Sequence, residues 1–351
     1  GKRIDGKPVA PNLEALAATG SVAVPNYSHV GFTTNSLKSM FTGRLEPRVG
    51  DASLFSDLKS SGYRIGVLSG QPEDFGDIST VLQMRRSADV YVDAETLKDK
   101  RAFSFAAKGS LLVDEKFLLE AFDRNFGAKE NWNQPTFLYL NFQSPHFPYD
   151  HPGVAVRIAG APIKRDDISE NNKERVARTY WNAVANSDYW LGQLVDRFKQ
   201  IGVWDNTVLL ITGDHGEELF ENGFLGHGHI INEQQYATFL ISNRKGVVPN
   251  GPVAISELRN IALDALTGIS YAEDRRAKFM YIGSLEKPAQ IGFADLNHHF
   301  ITFKFDTREV CFVEMKSCRP YNSMTGGDRK RVDLLIQRWV SELLAARDSV
   351  D

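Results

Sequence analysis

The chain has 351 residues, of which 42% are hydrophobic and 24% are charged, so it can bury one large core, or one core and a small added lobe. Its formal net charge of −3 comes from acids and bases mixed along the whole sequence, which argues against bulk attraction to nucleic acid. No segment approaches the roughly 20 apolar residues that cross a bilayer. The chain as it stands is therefore predicted to be globular and soluble, without a nucleic-acid partner.

Helical and extended patterns alternate along most of the sequence. Apolar residues recur at helical spacing near 10–20, 52–61, 115–126 and 169–201. Extended apolar runs predict strands at 21–24, 64–68, 136–141 and 207–212, and the last is almost wholly apolar, which is typical of the middle of a parallel sheet. This order predicts an α/β fold, with a mostly parallel central sheet sandwiched by helices.

The pattern changes after about Gly268. Short alternating segments at 279–282, 290–294, 299–305 and 310–315 predict antiparallel strands, 321–328 reads as a loop, and 332–346 as a closing helix. We therefore expect a core over 1–268 and a small antiparallel β lobe with a helix over 269–351. Cys311 and Cys318 lie on a predicted hairpin, where either a disulfide or two free thiols would fit.

Candidate metal ligands follow the apolar strand at 207–212. Asp214 and His215 come directly after it, between glycines, and a carboxylate beside an imidazole suits Zn²⁺ or Mn²⁺. A helix cap beside a surface histidine is the alternative for an isolated Asp-His pair. The glycine-rich run that follows carries His227 and His229 back toward the same sheet edge, and this favours a site.

Two further loops are expected at that edge. The strand at 136–141 leads into a proline-bounded loop that carries His146. Residues 29–43 contain several hydroxyl side chains at the start of a predicted helix, and the free N–H groups of a helix N-terminus suit a phosphate or sulfate group. Helix capping is the alternative for any one of these hydroxyls.

Several motifs together resemble the sulfatase branch of the alkaline phosphatase superfamily. They are Thr-Gly-Asp-His-Gly-Glu at 212–217, Gly-His-Gly-His at 226–229, Ser-Pro-His-Phe-Pro-Tyr at 144–149, the opening at 6–16, and Thr-Tyr-Trp-Asn-Ala-Val-Ala-Asn-Ser-Asp at 179–188. The resemblance covers roughly residues 6 to 245 in the family's order. It implies an enzyme with a bound divalent metal.

The resemblance also identifies a nucleophile. In this family it lies ten residues before a glycine, and counting back from Gly43 gives Thr33. Sulfatases convert a Cys or Ser, followed by Pro and Arg, into formylglycine, whereas the matching positions here are Thr33, Asn35 and Leu37. This disfavours a formylglycine sulfatase. A threonine is similar to the nucleophile of phosphoethanolamine transferases and lipoteichoic acid synthases, and a phospho-Thr type of intermediate is then expected.

The resemblance assigns further roles. Thr33, Asp214 and His215 would bind one divalent ion, Zn²⁺ or Mn²⁺, with Mg²⁺ and Ca²⁺ as alternatives. His227 would contact phosphate or a second metal, and His146 would be the other histidine on the substrate side. A hydroxyl is a weak nucleophile near neutral pH, and a metal ion is the simplest way to activate it.

Other substrate contacts are weaker expectations. We consider Thr34, Asn35 and His229 as substrate-binding residues, together with Arg44, for which a surface salt bridge is the alternative. The partner implied by the resemblance is a phospholipid or phosphorylated glycan. The family's first metal-ligating acid and first core strand would lie upstream of Gly1, as would any membrane anchor; the alternative is an incomplete site. The resemblance also implies an extracytoplasmic location.

Three functions remain open. The first is a head-group phosphotransferase or phosphodiesterase, and the second is a phosphatase-like or sulfatase-like hydrolase. The third is an inactive protein that binds lipid or glycan.

Overall fold

The structure is a computed structural model that describes residues 1–102, 112–269, 271, 276–295 and 297–348. Within these residues the helices are α1 Pro11–Thr19, α2 Thr33–Thr42, α3 Leu54–Ser60, α4 Ile78–Val81, α5 Met84–Ser87, α6 Glu115–Phe126, α7 Lys173–Ile201, α8 Glu233–Tyr236, α9 Leu258–Thr267 and α10 Gly326–Asp348. None of the described helices is long and apolar enough to cross a membrane.

The strands fall into several sheets. They are β1 Arg3–Ile4, β2 Lys7–Pro8, β3 Ser21–Tyr27, β4 Arg64–Ser69, β5 Val90–Val92, β6 Thr136–Asn141, β7 Leu210–Thr212, β8 Glu218–Leu219, β9 Leu225–Gly226, β10 Ala237–Ser242, β11 Val253–Ala254, β12 Lys278–Gly283, β13 Pro288–Ala294, β14 Phe300–Lys304, β15 Glu309–Phe312 and β16 Ser317–Pro320. The α/β class and the antiparallel C-terminal sheet are as predicted from the sequence.

The chain divides into two compact units, each built from separate segments. The first comprises Gly1–Thr19, Ala52–Val208 and Leu219–Phe224, and the second comprises Gly20–Asp51, Leu209–Glu218 and Leu225–Asp351. Contacts therefore group the C-terminal segment with residues 20–51, a grouping that does not follow the expected division at residue 268.

The first unit contains a parallel sheet of order β5-β4-β6. Helices α6 and α7 contribute apolar side chains to a core with this sheet, which includes Leu68, Phe122, Phe126, Leu194 and Phe198. The helix at α6 has the predicted bounds, and its N-cap Asp114 accepts a hydrogen bond from the N–H of Lys116. Parallel strands covered by an amphipathic helix are what the alternating pattern predicts.

The second unit contains a sheet of order β11-β3-β10-β7. Strands β11 and β3 are parallel, but β10 runs antiparallel to both β3 and β7. The apolar strand predicted at 207–212 is therefore shorter than expected, and its pairing with β10 is antiparallel. An apolar run is typical of strands in parallel sheets, but the direction of a pairing also depends on which distant strand becomes the neighbour. The expectation of a parallel neighbour was wrong at this pairing.

The C-terminal sheet has the order β12-β13-β14-β15-β16 and is antiparallel throughout its described pairings. Cys311 and Cys318 are paired across β15 and β16 and form a disulfide bond. Helix α10 begins at Gly326. The loop expected at 321–328 thus ends earlier than predicted, because the two glycines that suggested a turn lie in the first turn of the helix.

One core joins this sheet to the loop that precedes α2. Val30 is fully buried in a cluster with Phe279, Tyr281, Ile291 and Leu335, against which Phe32 also packs. The segment just before Thr33 is therefore held by side chains from the far end of the sequence.

Candidate active site

The site in the second unit forms where β3 and β7 end. These strands flank β10, and the side-chain amide of Asn26 donates a hydrogen bond to the Thr212 hydroxyl at 2.9 Å. This bond links the two chain segments that lead to Thr33 and to Asp214. The segments that carry Thr33 and Asp214 therefore meet at one edge of this sheet, whereas the loop that carries His146, also expected there, belongs to the first unit.

Hydroxyl side chains fix the loop between β3 and α2. Ser36 donates a hydrogen bond to the backbone carbonyl of Asp214, and its oxygen lies 3.0 Å from that of Ser28. Ser28 in turn donates to the carbonyl of Val30 at 2.6 Å. These buried serines connect α2 to the Asp-His segment and are part of its support.

Thr33 is the first residue of α2. The N-cap residue is Phe32, which has extended backbone angles and provides no side-chain cap. The capping interpretation of the hydroxyls in this loop is therefore wrong for the start of α2. The first turn of a helix carries N–H groups without intrahelical partners, and here no N-cap side chain satisfies them.

His215 faces the Thr33 hydroxyl. The Thr33 Oγ1 lies 3.2 Å from His215 Nε2, and His215 Nδ1 lies 2.8 Å from the carbonyl oxygen of Gly216. A carbonyl oxygen only accepts, so Nδ1 carries the hydrogen and, in the neutral ring, Nε2 has a free lone pair. That nitrogen can accept from Thr33 or bind a metal ion.

The donor set fits a cation. His215 Nε2 is also 3.4 Å from Asp214 Oδ2, so in the neutral ring two electron-pair donors approach one another. Such a pair is stabilised by a shared proton or by a positive ion. A backbone carbonyl that holds the other ring nitrogen is the usual support of a metal-binding histidine. Thr33, Asp214 and His215 are thus brought together as predicted.

Glu217 joins this group. Its Oε2 accepts a 2.6 Å hydrogen bond from His227 Nδ1, and the rings of His215 and His227 have centroids 4.0 Å apart. Burial disfavours the charged imidazole of His227, but the hydrogen bond and charge of Glu217, with the charge of Asp214, outweigh burial and raise its pKa.

The sequence interpretation did not assign a role to Glu217. Ligand atoms of His215, Glu217 and His227 lie within 4.8 Å of one another, so these three residues could also hold an ion. Glu217 follows His215 by two residues, with Gly216 between them, and this spacing was the available sequence signal for a role of Glu217. Local sequence does not show which partner a carboxylate two residues away will face.

A buried network supports the loop that carries His227. The Glu218 carboxylate accepts hydrogen bonds from the side-chain amides of Asn232 at 3.0 Å and Gln235 at 2.7 Å. The other end of the Gln235 amide accepts from the backbone N–H groups of His229 and Ile230. Glu218 therefore anchors the residues that follow His227.

A close backbone contact connects the Thr33 loop and the His227 loop. A Cβ atom on Gly31 would lie 2.8 Å from the backbone nitrogen of Gly228, and Gly228 itself has φ +81°. Only glycine fits at position 31 without displacement of a neighbouring backbone.

The remaining predicted residues have varied surroundings. The Asn35 side chain hydrogen-bonds the Tyr281 hydroxyl. The exposed Arg44 forms an ion pair at 3.4 Å with Asp51, whose side chain is 14% exposed, and this matches the salt-bridge alternative. His229 is exposed and Thr34 is half-buried on the first turn of α2. His146 lies in the first unit, where its Nδ1 is 2.8 Å from the carbonyl oxygen of Phe147.

Comparison with known proteins identifies the family. The sulfatase family model matches residues 3–258. The chain belongs to the sulfatase family. A sulfatase from Formosa agariphila is 26% identical over an alignment of 152 residues, which covers 34% of this chain and 29% of that protein. An endo-4-O-sulfatase from Bacteroides thetaiotaomicron is 26% identical over an alignment of 106 residues, which covers 27% of this chain and 21% of that protein. The matched segments thus span less than a third of these two sulfatases.

Solved structures show the fold of this sulfatase-family chain. The lipoteichoic acid synthase LtaP from Listeria monocytogenes has a TM-score of 0.62 at 15% identity over 97% of this chain and 87% of that chain. A phosphonate monoester hydrolase from Agrobacterium radiobacter has a TM-score of 0.63 at 14% identity over 97% and 91%. An alkaline phosphatase superfamily protein from Vibrio parahaemolyticus has a TM-score of 0.64 at 18% identity over 97% of this chain and 82% of that chain. The fold is that of the alkaline phosphatase superfamily.

Proposed function

We propose that this chain catalyses metal-dependent phosphoryl transfer on a phosphate ester or diester, as a head-group phosphotransferase or phosphodiesterase with Thr33 as nucleophile. The observation that supports this most is the position of the Thr33 hydroxyl. It lies at the first turn of α2, 3.2 Å from His215 Nε2 and beside a set of acidic and imidazole ligands.

Thr33, Asp214 and His215 are the residues that would hold the ion. A bound divalent ion supplies a positive charge that lowers the pKa of the Thr33 hydroxyl. The mixture of hard oxygen and imidazole donors suits Zn²⁺ or Mn²⁺, with Mg²⁺ and Ca²⁺ as alternatives. His227 and Glu217 would be ligands of a second ion.

In the proposed transfer step Thr33 attacks the phosphorus atom. Thr33 loses its hydroxyl proton to solvent, and its oxygen forms a bond to phosphorus as the bond from phosphorus to the leaving oxygen breaks. The leaving oxygen takes that electron pair and a proton from His227. The N–H groups of the first turn of α2 hydrogen-bond the phosphate oxygens. An atom of water, or of an acceptor hydroxyl or amine, then bonds to phosphorus as the bond from phosphorus to the Thr33 oxygen breaks, and the proton of the acceptor returns to His227.

The wider assignments rest on the family resemblance. We propose a phospholipid or phosphorylated glycan as substrate, with His146 as a second proton donor or phosphate contact. Thr34, Asn35, His229 and Arg44 are proposed substrate contacts. An extracytoplasmic site of action, with membrane attachment through a segment outside this chain, follows from the same resemblance.

The nucleophile can be tested by intact mass. Wild-type protein and the Thr33→Val and Thr33→Ser variants are incubated with Mn²⁺ or Zn²⁺ and bis(p-nitrophenyl) phosphate, and nitrophenol release is followed. We expect a mass adduct on wild type, a weaker one on Thr33→Ser, and a loss of turnover of at least about 100-fold in Thr33→Val, because valine keeps the shape and removes the hydroxyl.

Thr42→Val is the matched control. Thr42 lies at the other end of α2, where its hydroxyl donates to the carbonyl of Lys38 at 2.8 Å, and we expect its variant to keep adduct and turnover. Full activity in Thr33→Val would contradict the proposal. Metal content of wild type near zero after dialysis against each ion would contradict the metal dependence.

A sulfatase-like or phosphatase-like hydrolase is the second candidate, favoured by the family match over residues 3–258. Threonine cannot give formylglycine, since oxidation of its secondary alcohol produces a ketone. A hydrolase would therefore use Thr33 directly. Faster turnover of p-nitrophenyl sulfate or p-nitrophenyl phosphate than of the diester would select this candidate.

A further inference from the structure

Apart from the alternative role as a ligand of a second ion, Glu217 takes no part in the proposed transfer step, although it is one of the least exposed acids near Thr33. Its side chain is 10% exposed, and its Oε2 is 2.6 Å from Nδ1 of His227, whose side chain is 30% exposed. A carboxylate that accepts from one ring nitrogen fixes the rotation of the imidazole and leaves the opposite nitrogen, Nε2, for other partners.

The surrounding backbone makes this pair rigid. Glu218, the next residue, is buried and bonded to Asn232 and Gln235. The same Gln235 holds the backbone that follows His227. Both ends of the Glu217–His227 hydrogen bond therefore rest on one buried network, and the ring orientation is set before any substrate arrives.

We propose that Glu217 is a positioning residue that orients His227 so that its Nε2 delivers the proton to the leaving oxygen. This inference rests on the proposed function. It separates the role of Glu217 from that of a metal ligand, which the proximity of His215, Glu217 and His227 also allows.

Proton delivery matters most when the leaving group is poor. A p-nitrophenolate leaves readily without a proton, whereas phenolate and alkoxide oxygens need one in the transition state. Loss of a residue that orients the donor therefore lowers kcat mainly for poor leaving groups. Loss of a general structural support lowers kcat for all leaving groups alike.

The experiment compares methyl p-nitrophenyl phosphate with methyl phenyl phosphate in wild type, Glu217→Ala and Glu217→Gln. In Glu217→Ala we expect kcat for the phenyl ester to fall about 10–100-fold, kcat for the p-nitrophenyl ester to fall less than about threefold, and both KM values to stay within about twofold. Glu217→Gln keeps an acceptor oxygen, so it should recover part of the loss. Equal loss with both esters would overturn the proposal.

Glu221→Gln is the matched control. Glu221 is an exposed carboxylate four residues away that accepts from the backbone N–H of Leu219, and we expect its variant to treat both esters as wild type does. Metal content is measured in parallel. We expect the same metal per chain in Glu217→Ala as in wild type, and a loss of one equivalent would identify Glu217 as a ligand and overturn the positioning role.

A second measurement does not need turnover. In wild type, ¹⁵N-edited spectra of the histidine rings should show a hydrogen-bonded Nδ1–H of His227, assigned by its absence in His227→Gln. Glu217→Ala should lose this signal and Glu221→Gln should keep it. An inactive wild type would contradict the proposed function, whereas a signal that survives in Glu217→Ala would contradict the orientation by Glu217.

Discussion

His29 is a histidine whose two ring nitrogens are both used inside the protein. Nδ1 lies 2.7 Å from the carbonyl oxygen of Phe279 and Nε2 lies 2.8 Å from the hydroxyl of Ser256. Burial lowers the pKa of the His29 imidazole to about 4, although the carbonyl of Phe279 acts in the opposite direction. His29 lies in the loop between β3 and α2, and its two hydrogen bonds tie this loop to Phe279 and Ser256.

This low pKa predicts how stability depends on pH. The unfolded His29 has an ordinary pKa of about 6.5, so between pH 6.5 and about 4 the unfolded chain binds a proton that the folded chain does not. The free energy of unfolding therefore falls as pH falls through this window. At pH 5 the difference in proton binding by His29 lowers the free energy of unfolding by about 2 kcal/mol relative to its value above pH 7.

Urea unfolding at pH 7.5 and pH 5.0 measures this effect. The His29→Gln variant has no titrating ring, so its free energy of unfolding should drop by about 2 kcal/mol less than that of wild type over the same interval. His299→Gln is the control, because His299 is exposed and should behave as wild type. An identical drop in wild type and His29→Gln would show that His29 does not cause the acid sensitivity.

At the scale of the elements, Gly31 determines how closely two loops approach. A methyl group at this position would meet the backbone nitrogen of Gly228 at 2.8 Å, and that backbone cannot yield as a flexible side chain would. We expect Gly31→Ala to displace the His227 loop and to reduce turnover by about 100-fold, since a displacement near 1 Å can have this effect.

Gly327→Ala is the control for Gly31→Ala. Gly327 lies in α10 with open space around the position of a Cβ atom, so its variant should keep activity and gain up to about 1 kcal/mol of stability. Turnover measured with the diester, together with thermal unfolding, separates the two results. Wild-type turnover in Gly31→Ala would show that the loops adjust to the added methyl group.

The elements also show what sequence can predict. Helices α6 and α7 were predicted because long amphipathic patterns are set by burial of one face. Strand β10 was not predicted. Its antiparallel direction depends on its pairing with β3, and β3 lies more than 200 residues earlier in the sequence. Periodicity reports local burial, and it does not report which distant strand will be the neighbour.

The candidate site follows the same division. Thr33, Asp214, His215 and His227 were predicted, because each follows a strong element boundary or a family motif. Glu217 was not predicted, because its role depends on a side-chain contact with a residue ten positions later. The residues of the candidate site could be chosen from sequence, but their mutual orientation could not.

At the scale of the whole molecule, the second unit depends on the C-terminal sheet. Val30 is buried against Phe279, Tyr281 and Leu335, and none of these partners lies within residues 1–268. We expect a chain that ends at residue 268 to lose cooperative unfolding by urea and to expose apolar surface that binds a fluorescent dye. Cooperative unfolding of the shortened chain would instead support an independent core over 1–268.

Val30→Ala in the full chain should lower the free energy of unfolding by about 1–3 kcal/mol, whereas Val49→Ala, at an exposed position, should not.

The burial of Val30 by late residues has a consequence for synthesis. The ribosome makes Thr33 before the side chains that hold its loop, which follow roughly 250–300 residues later. At about 5–20 residues per second this is a delay on the order of 12–60 s. The segment before Thr33 therefore gains its buried partners only after the C-terminal sheet has emerged from the ribosome. We expect the proposed site to assemble after that point.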